Sequence, residues 1–285
     1  MSKQLNFAST LYSSLRNRLQ SSLVRRIYWA VANRETLVSR QREVDFYRKL
    51  FVGMRRGDLI FDIGANRGDK TDVFLKLGAR VISVEPDDSC RAILRARFLQ
   101  YRLHPRPVTL LGKAVSDKVG TEQMWIDGPG SAVNTISRKW ADELKEHKES
   151  FKHGHCGLEF SRSEQVETTT VEELMTLHGL PYFIKIDVEG HELSVLGGMQ
   201  RPVPFLSFEV NLPAFRQEGK DCVQVLRRLK QDGCFNYTPD CSSGLALQEW
   251  LGSDDFSTLL GSCTDESIEV FWKSDCSFAR TPVQA

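Results

Sequence analysis

Leu59-Ile60-Phe61-Asp62-Ile63-Gly64-Ala65-Asn66-Arg67-Gly68-Asp69 is the stretch on which the reading of this chain turns. Its first five residues form a short apolar run with β-branched and aromatic members, bounded by a glycine, and read as a strand. Residues 69–77 read as a helix, and Gly78 is placed to end it, because glycine there tolerates the left-handed conformation. Strand, glycine turn and helix in this order let backbone N–H groups approach a ligand closely.

Working outward, the spacing predicts a strand over 81–84, a helix over 88–100 and a strand over 108–111. Alternation of this kind with short connections implies a parallel sheet covered on both faces, with the first strand placed centrally by right-handed crossovers. Residues 118–165 interrupt the alternation with the turn Asp127-Gly128-Pro129-Gly130 and a polar helix near 138–149. The segment reads as an insertion beside the active site that covers the acceptor and adds little to cofactor binding. Alternation resumes at 165–169. Thr170-Val171-Glu172-Glu173 is a capping box opening a helix through His178. Strands over 182–186 and 205–210, helices over 192–199 and 221–230, and weaker strands over 235–238 and 267–272 complete the pattern.

A glycine loop alone also fits a dinucleotide-binding oxidoreductase. Asp62 discriminates, because a carboxylate two residues before the first glycine would repel a pyrophosphate. It suits the cationic amino and sulfonium groups of S-adenosylmethionine. Glu85, in Val81-Ile82-Ser83-Val84-Glu85-Pro86-Asp87, ends the second strand about twenty residues on, where an acidic side chain accepts both ribose hydroxyls.

In Lys185-Ile186-Asp187-Val188-Glu189-Gly190-His191-Glu192 the residues Asp187, Glu189 and His191 alternate, so an extended backbone would point all three to one side. Asp187 suits binding the methionine end of the cofactor, taking a proton, holding a cation or capping the next helix. Glu209, in an otherwise apolar run, is costly to bury unless paired or functional. The two carboxylates on neighbouring strand tips fit a base with its orienter, or an oxygen-rich metal site suited to magnesium rather than zinc. His153, His155 and Cys156 lack a fourth zinc ligand at standard spacing.

FDIGANRGD, VISVEPDD and especially FIKIDVEGHELSVLGGM resemble the FkbM family of S-adenosylmethionine-dependent methyltransferases, over about residues 40–275. The resemblance implies a doubly wound, Rossmann-like α/β sheet of seven mostly parallel strands with the last antiparallel. It carries cofactor contacts onto Asp62, Gly64, Ala65, Asn66, Gly68, Glu85, Pro86 and Asp187. It also places Ala114-Val115-Ser116 alongside the adenine, and implies a hydroxyl acceptor on a sugar, polyketide or related metabolite. Asp187 and Glu209, with His191, are the expected catalytic set.

Thirty-eight basic and 37 acidic residues leave a net charge of +1, without the basic field of a nucleic-acid binder. No apolar run approaches membrane-spanning length. Seven cysteines without C-x-x-C spacing fit reduced thiols and a cytoplasmic chain. Residues 1–40 form a basic extension, with no acid before Glu35 and with Leu11, Leu15, Leu19, Leu23 and Ile27 at helical spacing. That pattern suits a packed helix, an organelle-targeting segment or membrane-surface docking. The methyltransferase domain then covers 41–285. An NAD-dependent oxidoreductase and a non-catalytic binding protein of the same fold are the competing readings. N-methylation is disfavoured by the absence of an Asn/Asp-Pro-Pro-aromatic motif.

Overall fold

The computed structural model describes residues 34–102, 107–146 and 160–276. Helix α1 (Arg34–Leu50) precedes β1 (Leu59–Ile63), α2 (Asp69–Lys76), β2 (Arg80–Val84), α3 (Asp88–Arg97) and β3 (Val108–Leu111). Next come β4 (Ala114–Val115), β5 (Gly120–Ile126), α4 (Arg138–Glu146), β6 (Arg162–Thr169), α5 (Val171–His178) and β7 (Phe183–Ile186). The chain continues through α6 (Glu192–Gly197), β8 (Phe205–Asn211), α7 (Arg216–Leu229), β9 (Cys234–Thr238), α8 (Ser253–Ser262) and β10 (Ser267–Lys273).

Seven strands form the main sheet in the order β3-β2-β1-β7-β8-β10-β9. All pairings from β3 to β8 are parallel, and β10 runs antiparallel to both its neighbours. This is the doubly wound α/β sheet expected from the sequence. The crossovers reverse direction between β1 and β7, and that switch point opens a crevice at the carboxyl ends of the strands.

Strand alternation divides the core into two layers. Phe61, Ile63, Ile82, Val84, Ile184, Ile186, Leu206 and Phe208 pack beneath α4 to α8. Ile60, Val81, Phe183, Phe205 and Phe271 pack beneath α1, α2 and α3. Toward the carboxyl ends, the positions that share parity with this second set turn polar: Asp62, Ser83, Lys185, Ser207, Glu209 and Glu269. The same face is apolar at its base and chemical at its rim.

Several elements differ from the sequence pattern. Helix α1 runs across residue 40, because Val44, Tyr47, Leu50 and Phe51 supply a buried stripe. Helix α7 starts at Arg216 rather than 221, since Gly219 lies where its Cβ would meet Val210 at 2.9 Å, so the missing side chain serves packing. Helix α8 has no counterpart in the sequence reading. Strands β4, β6 and β5 form a separate three-stranded sheet instead of joining the alternation. The stripe of residues 11–27 and the group His153, His155 and Cys156 lie outside the described residues. Among those described, no helix is long and apolar enough to cross a membrane, and the six cysteines are free.

Candidate active site

Two cavities flank the tip of β7. The first is a cleft of about 90 Å³ lined by Gly64, Asn66, Glu85, Pro86, Ala114, Val115, Asp187 and Glu189, with Ser131 to Ile136 on its far side. Glu85 is held there by two backbone donors: Asn66 N–H reaches Oε2 at 2.7 Å and Asp87 N–H reaches Oε1 at 2.8 Å. Burial pushes its carboxyl up to about 7. Asp87 caps α3 by accepting from Cys90 N–H at 2.8 Å. Its second oxygen takes Asn134 Nδ2 at 2.8 Å, while Arg67 donates to the Gly130 carbonyl at 2.9 Å. These contacts clamp residues 127–136 over the cleft. Part of the 118–165 segment therefore lines the same cleft as Glu85.

Three residues carried over as cofactor contacts do not line this cleft. Asp62 is buried beneath the loop, where Thr71 Oγ1 donates to its Oδ2 at 2.5 Å, and burial raises its pKa. Ala65 packs in the core with its N–H on the Val84 carbonyl. Gly68 precedes α2 in the left-handed region (φ 80°), and a Cβ there would strike the Phe98 ring at 2.5 Å. Gly64 (φ 80°) lines the cleft, but its missing side chain is required by the neighbouring strand, since a Cβ would lie 1.7 Å from the Asp187 carbonyl oxygen.

The second cavity, about 360 Å³, lies across the β7 tip, lined by Lys70, Lys185, Asp187, Glu209, Ser267 and Glu269. Ser39 and Glu43 of α1 and residues 238–242 close it. Asp187 lines both cavities. Lys185 Nζ donates to Asp187 Oδ2 at 2.6 Å. Burial alone would raise the Asp187 pKa, but the Lys185 charge overrides it and holds Asp187 below its ordinary value. Glu209 is pushed up to about 8 by burial and by the Asp187 charge, which favours its protonated form beside the Asp187 anion. It also accepts from Ser267 Oγ at 2.8 Å. The Asp187–Glu209 pair expected from the sequence is therefore brought together.

Glu189 completes a carboxylate trio with oxygens within 4.8 Å of one another. Its backbone is left-handed (φ 55°), held by Thr135 Oγ1 donating to its carbonyl at 2.7 Å. Burial, and then the Glu209 and Asp187 charges, raise its pKa well above the usual range. The same turn, with Gly190 at φ 85°, removes His191 from the expected set. Extension ends at Ile186, so His191 does not continue the alternation; its Nε2 lies 3.0 Å from Ser116 Oγ and it lines a third, shallower recess. Burial lowers its pKa despite nearby Glu122.

Sequence reasoning missed Lys185, Lys70, Glu43 and Glu269. Lys185 and Glu269 each interrupt an apolar strand run, the signal that drew attention to Glu209. Their convergence depends on register, since β10 pairs Glu269 opposite Glu209. Lys70 and Glu43, in contact with each other, carry no such signal because helices α2 and α1 present them.

Solved structures similar to this chain include an FkbM methyltransferase from Methylobacillus flagellatus KT, with 16% identity and a TM-score of 0.47. The match covers 80% of this chain and 47% of that one, so the chain spans about half that protein's length. A TehB-like S-adenosylmethionine-dependent methyltransferase from Corynebacterium glutamicum is 10% identical, with 88% and 94% covered and a TM-score of 0.40. The plantazolicin methyltransferase BpumL, solved with S-adenosylhomocysteine and a triazolic desmethylPZN analog, is 9% identical, with 90% and 93% covered and a TM-score of 0.37. No curated protein matches the sequence. The profile of the methyltransferase FkbM domain matches residues 62–234. It runs from the carboxylate beneath the glycine loop to the start of β9 and takes in the first cleft with Asp187 and Glu209, more than half of the chain: the protein belongs to the FkbM methyltransferase family.

Proposed function

We propose that the protein transfers the methyl group of S-adenosylmethionine to a hydroxyl of a small, polar metabolite. The observation that carries this reading is that Asp187 lines both cavities at the switch point of the sheet. The donor set of the first cleft suits the nucleoside of the methyl donor. Glu85 offers remaining lone pairs to ribose hydroxyls, and Ala114 and Val115 offer an apolar edge to adenine. When bound, the cofactor supplies an electrophilic methyl carbon on a sulfonium. Asp187, kept ionised by Lys185, faces the second cavity, where it takes the proton of an acceptor hydroxyl as the oxygen gains the methyl group. Glu209 returns charge balance by holding its own proton against Asp187. Lys185 already places a positive charge on the trio, so this scheme needs no magnesium ion.

The test is Asp187→Asn, which keeps shape and removes the charge. With labelled methyl donor and a metabolite extract, kcat should fall by about 10²–10⁴, the worth of general acid–base help. Adenosylhomocysteine affinity should change far less, and a chelator should leave wild-type turnover intact. Near-normal turnover by folded Asp187→Asn would overturn the assignment, and loss of activity on chelation would replace the base with a metal.

A further inference from the structure

The second cavity has a composition that selects its occupant. At about 360 Å³ it lies at the small end of ligand sites, whose range is roughly 300–1,000 Å³. Its walls are mainly polar. Ser39, Thr238, Ser242 and Ser267 offer hydroxyls, while Pro239 is an isolated apolar patch. An aromatic or polyketide-like acceptor would strip water from these groups without replacing their hydrogen bonds.

Charge narrows the choice further. Five carboxylates (Glu43, Asp187, Glu209, Asp240 and Glu269) face two lysines. Both lysines are engaged: Lys185 on Asp187 at 2.6 Å, and Lys70 on Glu43 with Glu269 at 3.9 Å. Glu269 is fixed by Tyr47 Oη at 3.0 Å, Ser207 Oγ at 2.7 Å and the Cys241 thiol at 3.0 Å. Five carboxylates against two lysines leave the cavity with an excess of negative charge. Among the described residues a phosphate or carboxylate on the acceptor would find no free cation and would face repulsion from the excess negative charge.

Resting on the methyl-transfer reading above, we propose that this cavity takes an amine-bearing sugar-class polyol, its ammonium among Glu43, Asp240 and Glu269 and one hydroxyl turned to Asp187. The ammonium supplies the positive charge the lysines leave lacking, and the hydroxyl-lined wall receives the rest of the ring. The cavity wall, and not the catalytic group, then sets acceptor choice.

Saturation-transfer NMR on the full chain, saturated with adenosylhomocysteine, tests this with millimolar glucosamine, N-acetylglucosamine and glucose 6-phosphate as probes. Glucosamine should bind at least about tenfold more tightly than its N-acetyl counterpart, one unit of lost charge attraction, and the phosphate should not bind. Equal binding of the first two, binding of the phosphate, or binding of none would overturn the inference. The double variant Glu43→Gln, Asp240→Asn should bring the ratio between the two amino sugars toward one, and an unchanged ratio would also overturn it. Displacement of glucosamine by magnesium chloride at low millimolar concentration, but not by sodium chloride of equal ionic strength, would make the cavity a metal site instead. Failure of adenosylhomocysteine to bind in the same sample would sink the underlying reading separately.

Discussion

Burying a carboxylate at a strand tip is unfavourable, and this protein meets that cost differently at each position. Asp62 is satisfied by Thr71, Glu85 by two backbone N–H groups, Asp187 by Lys185 and Glu209 by a retained proton. The sequence marks all four as acids in apolar strands or at their ends, but it does not say which neighbour satisfies each. Asp62 illustrates the gap. The motif points its charge at the cofactor, whereas strand parity turns it toward Thr71 of α2. Glu85 yields a pH prediction. Burial raises its carboxyl to about 7, so the anion that accepts ribose hydroxyls is lost as pH falls through that value. Adenosylhomocysteine affinity should therefore rise from pH 6 to pH 8. Glu85→Gln should flatten the profile and weaken binding at pH 8 by about 1–3 kcal/mol, the range for hydrogen bonds to a charged group. A wild-type profile without slope would place the ribose elsewhere.

Local signals gave most elements within a few residues, because buried parallel strands are short apolar runs and helices carry caps such as Thr170, whose side chain accepts from Glu173 N–H at 3.0 Å. Where pairing is non-local the signal disappears. Strand β6 is largely exposed and rich in Glu, Gln and Ser, and β4 has two residues; only the pairing of β6 with both β5 and β4 makes a sheet. The left-handed turn at Glu189 is equally silent, since a non-glycine at positive φ is not announced by residue type. The clamp over the first cleft gives a kinetic prediction. Residues 131–136 line the cleft opposite Glu85 and are tied to Asp87, so ligand entry is expected to depend on their release. Asn134→Ala removes a charge-assisted bond to Asp87 and should speed both association and dissociation of adenosylhomocysteine by about tenfold, as loss of ~1.4 kcal/mol from the closed form requires. Unchanged stopped-flow rates would mean that the loop does not gate. Helix α1 is held by Tyr47, fully buried against Phe51, Phe74 and Phe183. Tyr47→Ala should cost about 3–5 kcal/mol in denaturant unfolding, against about 0.5–1.5 for Tyr47→Phe, which removes only the hydroxyl with its bonds to Glu269 and Cys241. Equal losses would assign the helix's hold to the hydroxyl rather than the ring.

At the scale of the whole molecule, strand order does the positioning. The order β3-β2-β1-β7-β8 places Glu85, the glycine loop, Asp187 and Glu209 in sequence along one edge, and this much followed from the alternating pattern and three motifs. What the pattern did not contain is the second cavity, whose walls come from α1, α2, β10 and residues 238–242 and meet only in the folded chain. The central claim is that the first cleft is built for the methyl donor and not for a dinucleotide. Calorimetric titration of the wild-type chain at pH 8 with S-adenosylhomocysteine and, separately, with NAD decides it. Adenosylhomocysteine should give saturable one-site binding and NAD no heat; saturable NAD binding with no adenosylhomocysteine signal would contradict a cleft built for the methyl donor.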